Sequence, residues 1–518
     1  MSVLYMVSSA VRRRSGARDA AAWSGRAGAL LAAVAGMVAL VLAEAALGPV
    51  RTAVAVGALC LVALLALRTT ATLAVTLGVA ACFANGLSFS TLLKGVRFLD
   101  VAVVVALAAA LSLGRLRGRR ASPVMDLAFA LFGYALAIAA ARGLLNAAQR
   151  SQALIEIRRL APLALYLPAT VVMPARSSRR LIWWGFVVGC TAAGVWEVGS
   201  AITHNVRQLD LGLPIYAGDR KALFGSLLRP AGLTATNCVC FAPALVRGLW
   251  GGSGRKARLA LLIVLAATVP AIIVDLNRSR WLAAALALVL CQGLLAIARR
   301  RDAEAEQPAA SGFLGVTTFA RLQPAALRVS AAFTRSAARI AAVAGFVGAA
   351  VFVTGARQGV SERLLQLAKP FAIRGVAYRF NESGAMLAAF RAAPLFGTGL
   401  GHAFLVQNPF AAGPFLVRAT NWHDDFVFLL AKTGLFGLLA FVFLLVAALL
   451  LGVRTTMRAG PADRPEAAAL TAILAAAIVP AFSQATFFGT DFVVVLAMLL
   501  AFVSCRAVAP AQGDSRER

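Results

Sequence analysis

The stretch "TNWHDDFVFLLAKTGLFGLL", residues 420–439, sets His423 between a tryptophan and two aspartates, at the head of a long apolar run. Histidine is scarce here, three in 518 residues, and its imidazole is the side chain that exchanges a proton most readily near neutral pH. One chemistry the segment could supply is therefore general-base activation of a hydroxyl nucleophile. Asp424 and Asp425 could cap the helix that follows, where carboxylates suit the positive end of the dipole, or orient His423, or contact an acceptor. A metal centre fits poorly, because consecutive helical residues point about 100° apart and only positions three or four apart share a face. His423 beside Trp422 also has the composition of an interfacial aromatic belt. His204 and His402 have no constellation around them in the sequence and read as structural.

Arginine carries a second chemistry. Its guanidinium stays charged and meets phosphate through two parallel hydrogen bonds. Arg229 precedes a proline–glycine turn in "LLRPAGLTATN" (227–237). Arg278 and Arg280 fill the tight turn "LNRSRWLAAA" (276–285), and Arg379 lies in "AYRFNESG" (377–384). Downstream, "PLFGTGLG" (394–401) spaces Gly397, Gly399 and Gly401 closely. No strand precedes these glycines, so the run reads as tight turning against a membrane rather than as a nucleotide loop.

Apolar helices must position these residues. Hydrophobic residues make up 60% of the chain and charged ones 14%, with a mean hydropathy of +0.81. A soluble protein of this size cannot bury that much apolar surface. The apolar runs reach the roughly 17–25 residues that cross a bilayer as helix, and they lack the alternation of barrel strands. The expected fold is all-α: one membrane domain, 1–518, forming a polytopic transmembrane bundle of about 12–14 spans. Spans are expected near 28–46, 52–67, 70–86, 96–114, 124–141, 158–173, 181–201, 233–250, 258–276, 281–298, 340–355, 426–449, 468–486 and 491–506.

The basic residues set the orientation. With the N-terminus inside, dense clusters fall on the cytoplasmic side: Arg12–Arg14, Arg115–Arg120, Arg176–Arg180, the 299–339 loop, Arg454–Arg464 and the C-terminus. The formal charge of +30 therefore reads as topology against an anionic inner leaflet. No basic stripe interleaved with aromatics suggests nucleic acid. The first apolar run reads as an uncleaved helix, since another span follows at once. The seven cysteines lie in or beside spans and read as small hydrophobes. Loops 202–232 and 356–425 fall outside, and they carry arginines that topology does not call for.

Four elements taken in order resemble the O-antigen ligase and O-antigen polymerase superfamily, bacterial membrane glycosyltransferases with multispanning helical folds. They are an R-x-x-G-like element (Arg229–Gly232), an S-R turn (Ser279, Arg280), an R…P-L-F-G-x-G-L-G run (Arg379, Pro394–Gly401) and a histidine entering "H…L…K-x-G-L-F-G-L-L" (His423, Lys432–Leu439). They cover residues 225–445. The family's histidine is usually followed by Asn or Ser; here Asp424 follows, a departure on the acceptor side.

The resemblance implies transfer of a glycan from undecaprenyl pyrophosphate to a hydroxyl of lipid A core or of another glycan. It implies an inner-membrane enzyme with both termini cytoplasmic, a periplasmic active site, no metal and no cofactor. His423 would be the base, Arg229 and Arg280 the diphosphate ligands, and Arg379 and Arg278 further phosphate ligands. Asp424 and Asp425 would contact the acceptor or cap the helix. The rival class is a transporter or lipid-linked glycan flippase, which would need charges deep in its spans; Glu44 and Glu197, the main candidates, lie near span ends.

Overall fold

The computed structural model describes residues 70–83, 91–93, 96–112, 121–210, 238–249, 255–274, 278–305, 374–407, 416–419, 423–482 and 486–508. Expected spans at 28–46, 52–67 and 340–355 lie outside them, as do most of the 299–339 loop and residues 211–232. The described chain is predominantly helical. It begins with α1 (Thr70–Phe83), a two-stranded antiparallel pair of β1 (Thr91–Leu93) and β2 (Val96–Arg97), and α2 (Phe98–Ser112). Then come α3 (Pro123–Leu145), α4 (Arg150–Leu160), a 3₁₀ turn (Ala161–Leu165), α5 (Tyr166–Val172) and α6 (Arg176–Asp210). A second 3₁₀ turn (Val239–Phe241) leads into α7 (Ala242–Leu249), α8 (Arg255–Val274) and α9 (Arg278–Ala305). The C-terminal part holds α10 (Arg374–Ala392), the antiparallel pair β3 (Phe404–Gln407) and β4 (Leu416–Ala419), α11 (Asp425–Arg458), α12 (Arg464–Ala476), α13 (Ile478–Ala481) and α14 (Thr490–Val508).

Among the described residues four stretches are long and apolar enough to cross a membrane: Pro123–Leu145, Ser279–Asp302, Asp425–Arg458 and Arg464–Ala481. Leu73–Cys82, Leu262–Ile272 and Phe492–Val508 are shorter apolar helices. The fold is that of an all-α membrane protein. Along α3 the buried positions Met125, Ala128, Phe132, Ala135, Ala139 and Gly143 form one stripe. Leu127 and Tyr134, off the stripe, are exposed apolar surface of the kind lipid covers. By contrast α14 is buried all round, with Phe492–Val503 each no more than 2% exposed. It is the centre of the bundle, and Phe487, Phe488 and Phe132 pack around Phe441 beside it.

Several elements depart from the sequence expectation. Helix α6 continues to Asp210 through residues expected to begin the 202–232 loop, since no glycine or proline stops it before Gly212. Helix α9 runs past residue 298 to Ala305 on the good helix formers of "RRRDAEA". The 158–173 span is a broken helix. Pro162 has no amide to donate, and the 3₁₀ turn over 161–165 absorbs the defect. Within 356–425, expected as loop, the described residues form α10 and the β3–β4 pair.

The two ends of the bundle differ in character. At one end Asp463 accepts from Arg506 (2.7 Å) and pairs with Arg176 (3.1 Å), while Arg179, stacked over Phe502, reaches Glu466 (3.2 Å). Arg464 pairs with Asp302 there. All of these fall in segments that the charge pattern groups on one side of the membrane.

Helix α11 is interrupted at Gly434, whose backbone (φ 69°, ψ −169°) is non-helical. Broken ladder groups in an apolar helix need other partners, and the glycine turn supplies them. Leu435 N donates to Pro394 O (2.8 Å) and Phe436 N to Leu395 O (3.2 Å). In return Thr398 N donates to Ala431 O (2.9 Å) and Gly399 N to Lys432 O (3.0 Å). Gly397, Gly399 and Gly401 all have positive φ, and a methyl on Gly397 would overlap the Lys432 carbonyl. A methyl on Gly434 would overlap the Leu395 carbonyl, in a backbone region that is essentially glycine-only. Gly434→Ala should therefore cost at least the roughly 1–3 kcal/mol of such strain, read as a lowered melting temperature of the purified protein in detergent.

Candidate functional site

The site is built at the head of α11. Asp424 caps this helix, its Oδ1 accepting from Phe426 N (2.9 Å) and Val427 N (3.0 Å). Burial pushes its carboxyl above the usual carboxylate range; the two amide bonds oppose this, and the nearby Glu382 charge adds to it. Asp425 is the first residue of α11 rather than its N-cap. It is fully buried, and its Oδ2 accepts from Thr486 N (2.7 Å) and Phe487 N (2.6 Å), tying the turn after α13 to the start of α11. These two bonds explain why a carboxylate sits in so apolar a place.

His423, immediately before the cap, is thereby fixed in place. Its Nδ1 lies 2.7 Å from Oε2 of Glu382, and the imidazole is 39% exposed while Glu382 is only 2% exposed. Glu382 belongs to α10, which packs along the first turns of α11. The two helices run in the same direction, since Glu382 meets His423 and Pro394 meets Leu435 twelve residues further along each. Arg379 is exposed and one turn before Glu382, on the same face of α10.

Arg280 lies in the first turn of α9 and is 6% exposed, so its guanidinium faces protein rather than solvent. Helix α9 is antiparallel to α12: Asp302 meets Arg464, and Cys291 and Leu295 pack on Ala468, Ala469 and Ala472. Followed to its start, α9 reaches α13, next to the turn that Asp425 clamps. Arg280 is thus at the same end of the bundle as His423, roughly 33 Å of helix away from Asp302. Arg229 and the Arg278 side chain lie outside the described residues.

A second polar group lies one to two turns deeper. Lys432 Nζ donates to Glu156 Oε1 (2.8 Å), Glu156 Oε2 (3.1 Å) and His402 O (2.6 Å), and it faces the rings of Phe404 and Phe428. Glu156 Oε2 also accepts from Gly401 N (2.9 Å). Lysine and glutamate are both 1% exposed. The pair locks the glycine turn against α4 and α11. Gln149 Nε2 lies 3.1 Å from His402 Nδ1 and fastens the end of the turn. Leu395 and Phe396, at the tip of the turn, are exposed apolar side chains.

Sequence reasoning missed Glu382, Glu156 and the break at Gly434. The signal for Glu382 was present: buried Glu382 and Met386 are four apart and half-buried Ala385 and Ala389 share that spacing, a helical stripe within a presumed loop. Among the described residues no group of three or more His, Cys, Asp or Glu could hold a metal ion. No protein-family model matches the chain, and no curated protein aligns with it significantly.

Proposed function

We propose that the chain is a membrane glycosyltransferase of the O-antigen ligase type, moving a glycan from undecaprenyl pyrophosphate to an acceptor hydroxyl at the periplasmic face of a bacterial inner membrane. The observation that carries this reading is the half-exposed imidazole of His423 at the head of a membrane helix, at the bundle end that also holds Arg280. In the proposed step the acceptor O–H gives its proton to His423, and the oxygen bonds the anomeric carbon. The bond from that carbon to the diphosphate breaks, and undecaprenyl pyrophosphate leaves with the electron pair. Arg280, with Arg229, Arg278 and Arg379, stabilises the charge that grows on the leaving diphosphate. The resemblance to the O-antigen ligase superfamily implies no metal and no cofactor for this step. Polymerisation of lipid-linked repeat units is the same chemistry with another acceptor.

One observation bears on the transporter or flippase reading. A buried ion pair is the kind of charge transport proteins place within the membrane. Here, however, all three ammonium protons of Lys432 are used, and the pair holds the glycine turn in place. That fits a structural lock better than a moving counter-ion.

A strain lacking the gene, complemented with the wild-type chain or with Arg280→Lys, tests the reading. Lipopolysaccharide and exopolysaccharide are separated on gels. The wild type should restore glycan-capped lipid A core (ligase) or extended polymer in place of single repeats (polymerase). Arg280→Lys keeps the charge but loses the planar fork, so transfer should fall toward the ~10²–10³-fold loss expected when one such donor is removed, at unchanged abundance in the membrane. Unchanged product from this variant would remove the diphosphate role of Arg280.

A further inference from the structure

We infer that Glu382 is a positioning residue that fixes which nitrogen of His423 is basic; this rests on the proposal that His423 is the base. An ionised carboxylate can only accept hydrogen bonds, so at 2.7 Å from Oε2 the Nδ1 of His423 must carry its proton. In the neutral ring the lone pair is then on Nε2, on the far side of the imidazole from Glu382. The other carboxylate oxygen, Oε1, is buried without a hydrogen-bond partner. With one oxygen orphaned and the residue 2% exposed, the charge of Glu382 is poorly solvated and is felt by His423, its hydrogen-bond partner, as well as by Asp424. It therefore favours the imidazolium that forms when His423 takes the acceptor proton, a role distinct from touching substrate.

The arrangement also explains why an acidic residue sits within α10. The helix packs against the head of α11 and hands its carboxylate to the exposed imidazole, while the glycine turn that follows anchors the same helix against Gly434. The base is oriented by an element that is itself anchored at its C-terminal end through the glycine turn.

The test uses Glu382→Gln and Glu382→Asp beside His423→Gln, in the full-length chain in lipid nanodiscs. Histidine-selective ¹⁵N labelling gives three imidazoles, His204, His402 and His423, and His423→Gln identifies the third. At a pH where the ring is neutral, wild-type His423 should carry its proton on Nδ1, and Glu382→Gln should raise the share of the Nε2-protonated form. Transfer should fall by roughly 10²–10⁴-fold in Glu382→Gln, as loss of the correct tautomer costs elsewhere, with KM for the lipid-linked donor unchanged. Glu382→Asp should recover part of the rate. In a His423→Gln background Glu382→Gln should have no further effect on transfer. A wild-type His423 protonated on Nε2 overturns the inference, and so does full transfer by Glu382→Gln when His423→Gln is inactive. Full transfer by His423→Gln instead overturns the base assignment itself.

Discussion

Replacing Lys432 with methionine should destabilise the protein by about 3–5 kcal/mol, the range expected when one partner of a buried ion pair is removed and the other charge is left alone. Glu156, at 1% exposure, has no water to turn to. The loss reaches beyond the pair, because Lys432 also holds the His402 carbonyl at the end of the glycine turn. A double variant, Lys432→Met with Glu156→Gln, removes both charges and keeps an oxygen for Gly401 N. It should recover most of the stability, since neutral replacements of a buried pair are often tolerated. Melting temperatures in detergent decide this, and a double variant no better than the single would mean that the pair does not act as a unit. The single variant should also lose transfer, because the turn holds α10, and with it Glu382, against α11.

The other large effect concerns His423. His423→Ala would leave Glu382 buried beside a void, confusing lost chemistry with lost stability. His423→Gln is the cleaner probe, since its amide can still donate to Glu382 Oε2 while offering no proton acceptor of comparable basicity. Transfer should drop by roughly 10²–10⁴-fold, the usual contribution of a positioned base. The melting temperature should change little. A glutamine variant that melts like the wild type yet transfers normally would exclude a basic role for the imidazole.

How much of this was legible in the sequence depends on the range of the interaction. His423 and Asp424 sit next to an apolar run, so base candidate and cap could be read from a few adjacent residues, and the cap is local geometry. Arg280 could be singled out because arginine is conspicuous between two apolar helices. The bonds that Asp425 accepts from Thr486 and Phe487 span about sixty residues, and no local pattern announces them. Glu156 and Lys432 are 276 residues apart, and no local pattern couples them. The break in α11 is likewise tertiary: "KTGLFGLL" reads as helix, and only the incoming glycine turn gives its broken ladder new partners. Glu382 was missed for a different reason, namely that a helix of mixed polarity lay inside a stretch read as loop.

The most direct measurement is made on the purified chain in lipid nanodiscs, given an undecaprenyl-pyrophosphate-linked oligosaccharide and a panel of acceptors that includes lipid A core. Mass spectrometry then follows the acceptor and the released undecaprenyl pyrophosphate. The proposed function predicts that one acceptor gains the glycan mass as undecaprenyl pyrophosphate appears in equal amount, without added metal, and that His423→Gln stops both. Donor consumed equally fast by His423→Gln, or moved across a bilayer without chemical change, would contradict it.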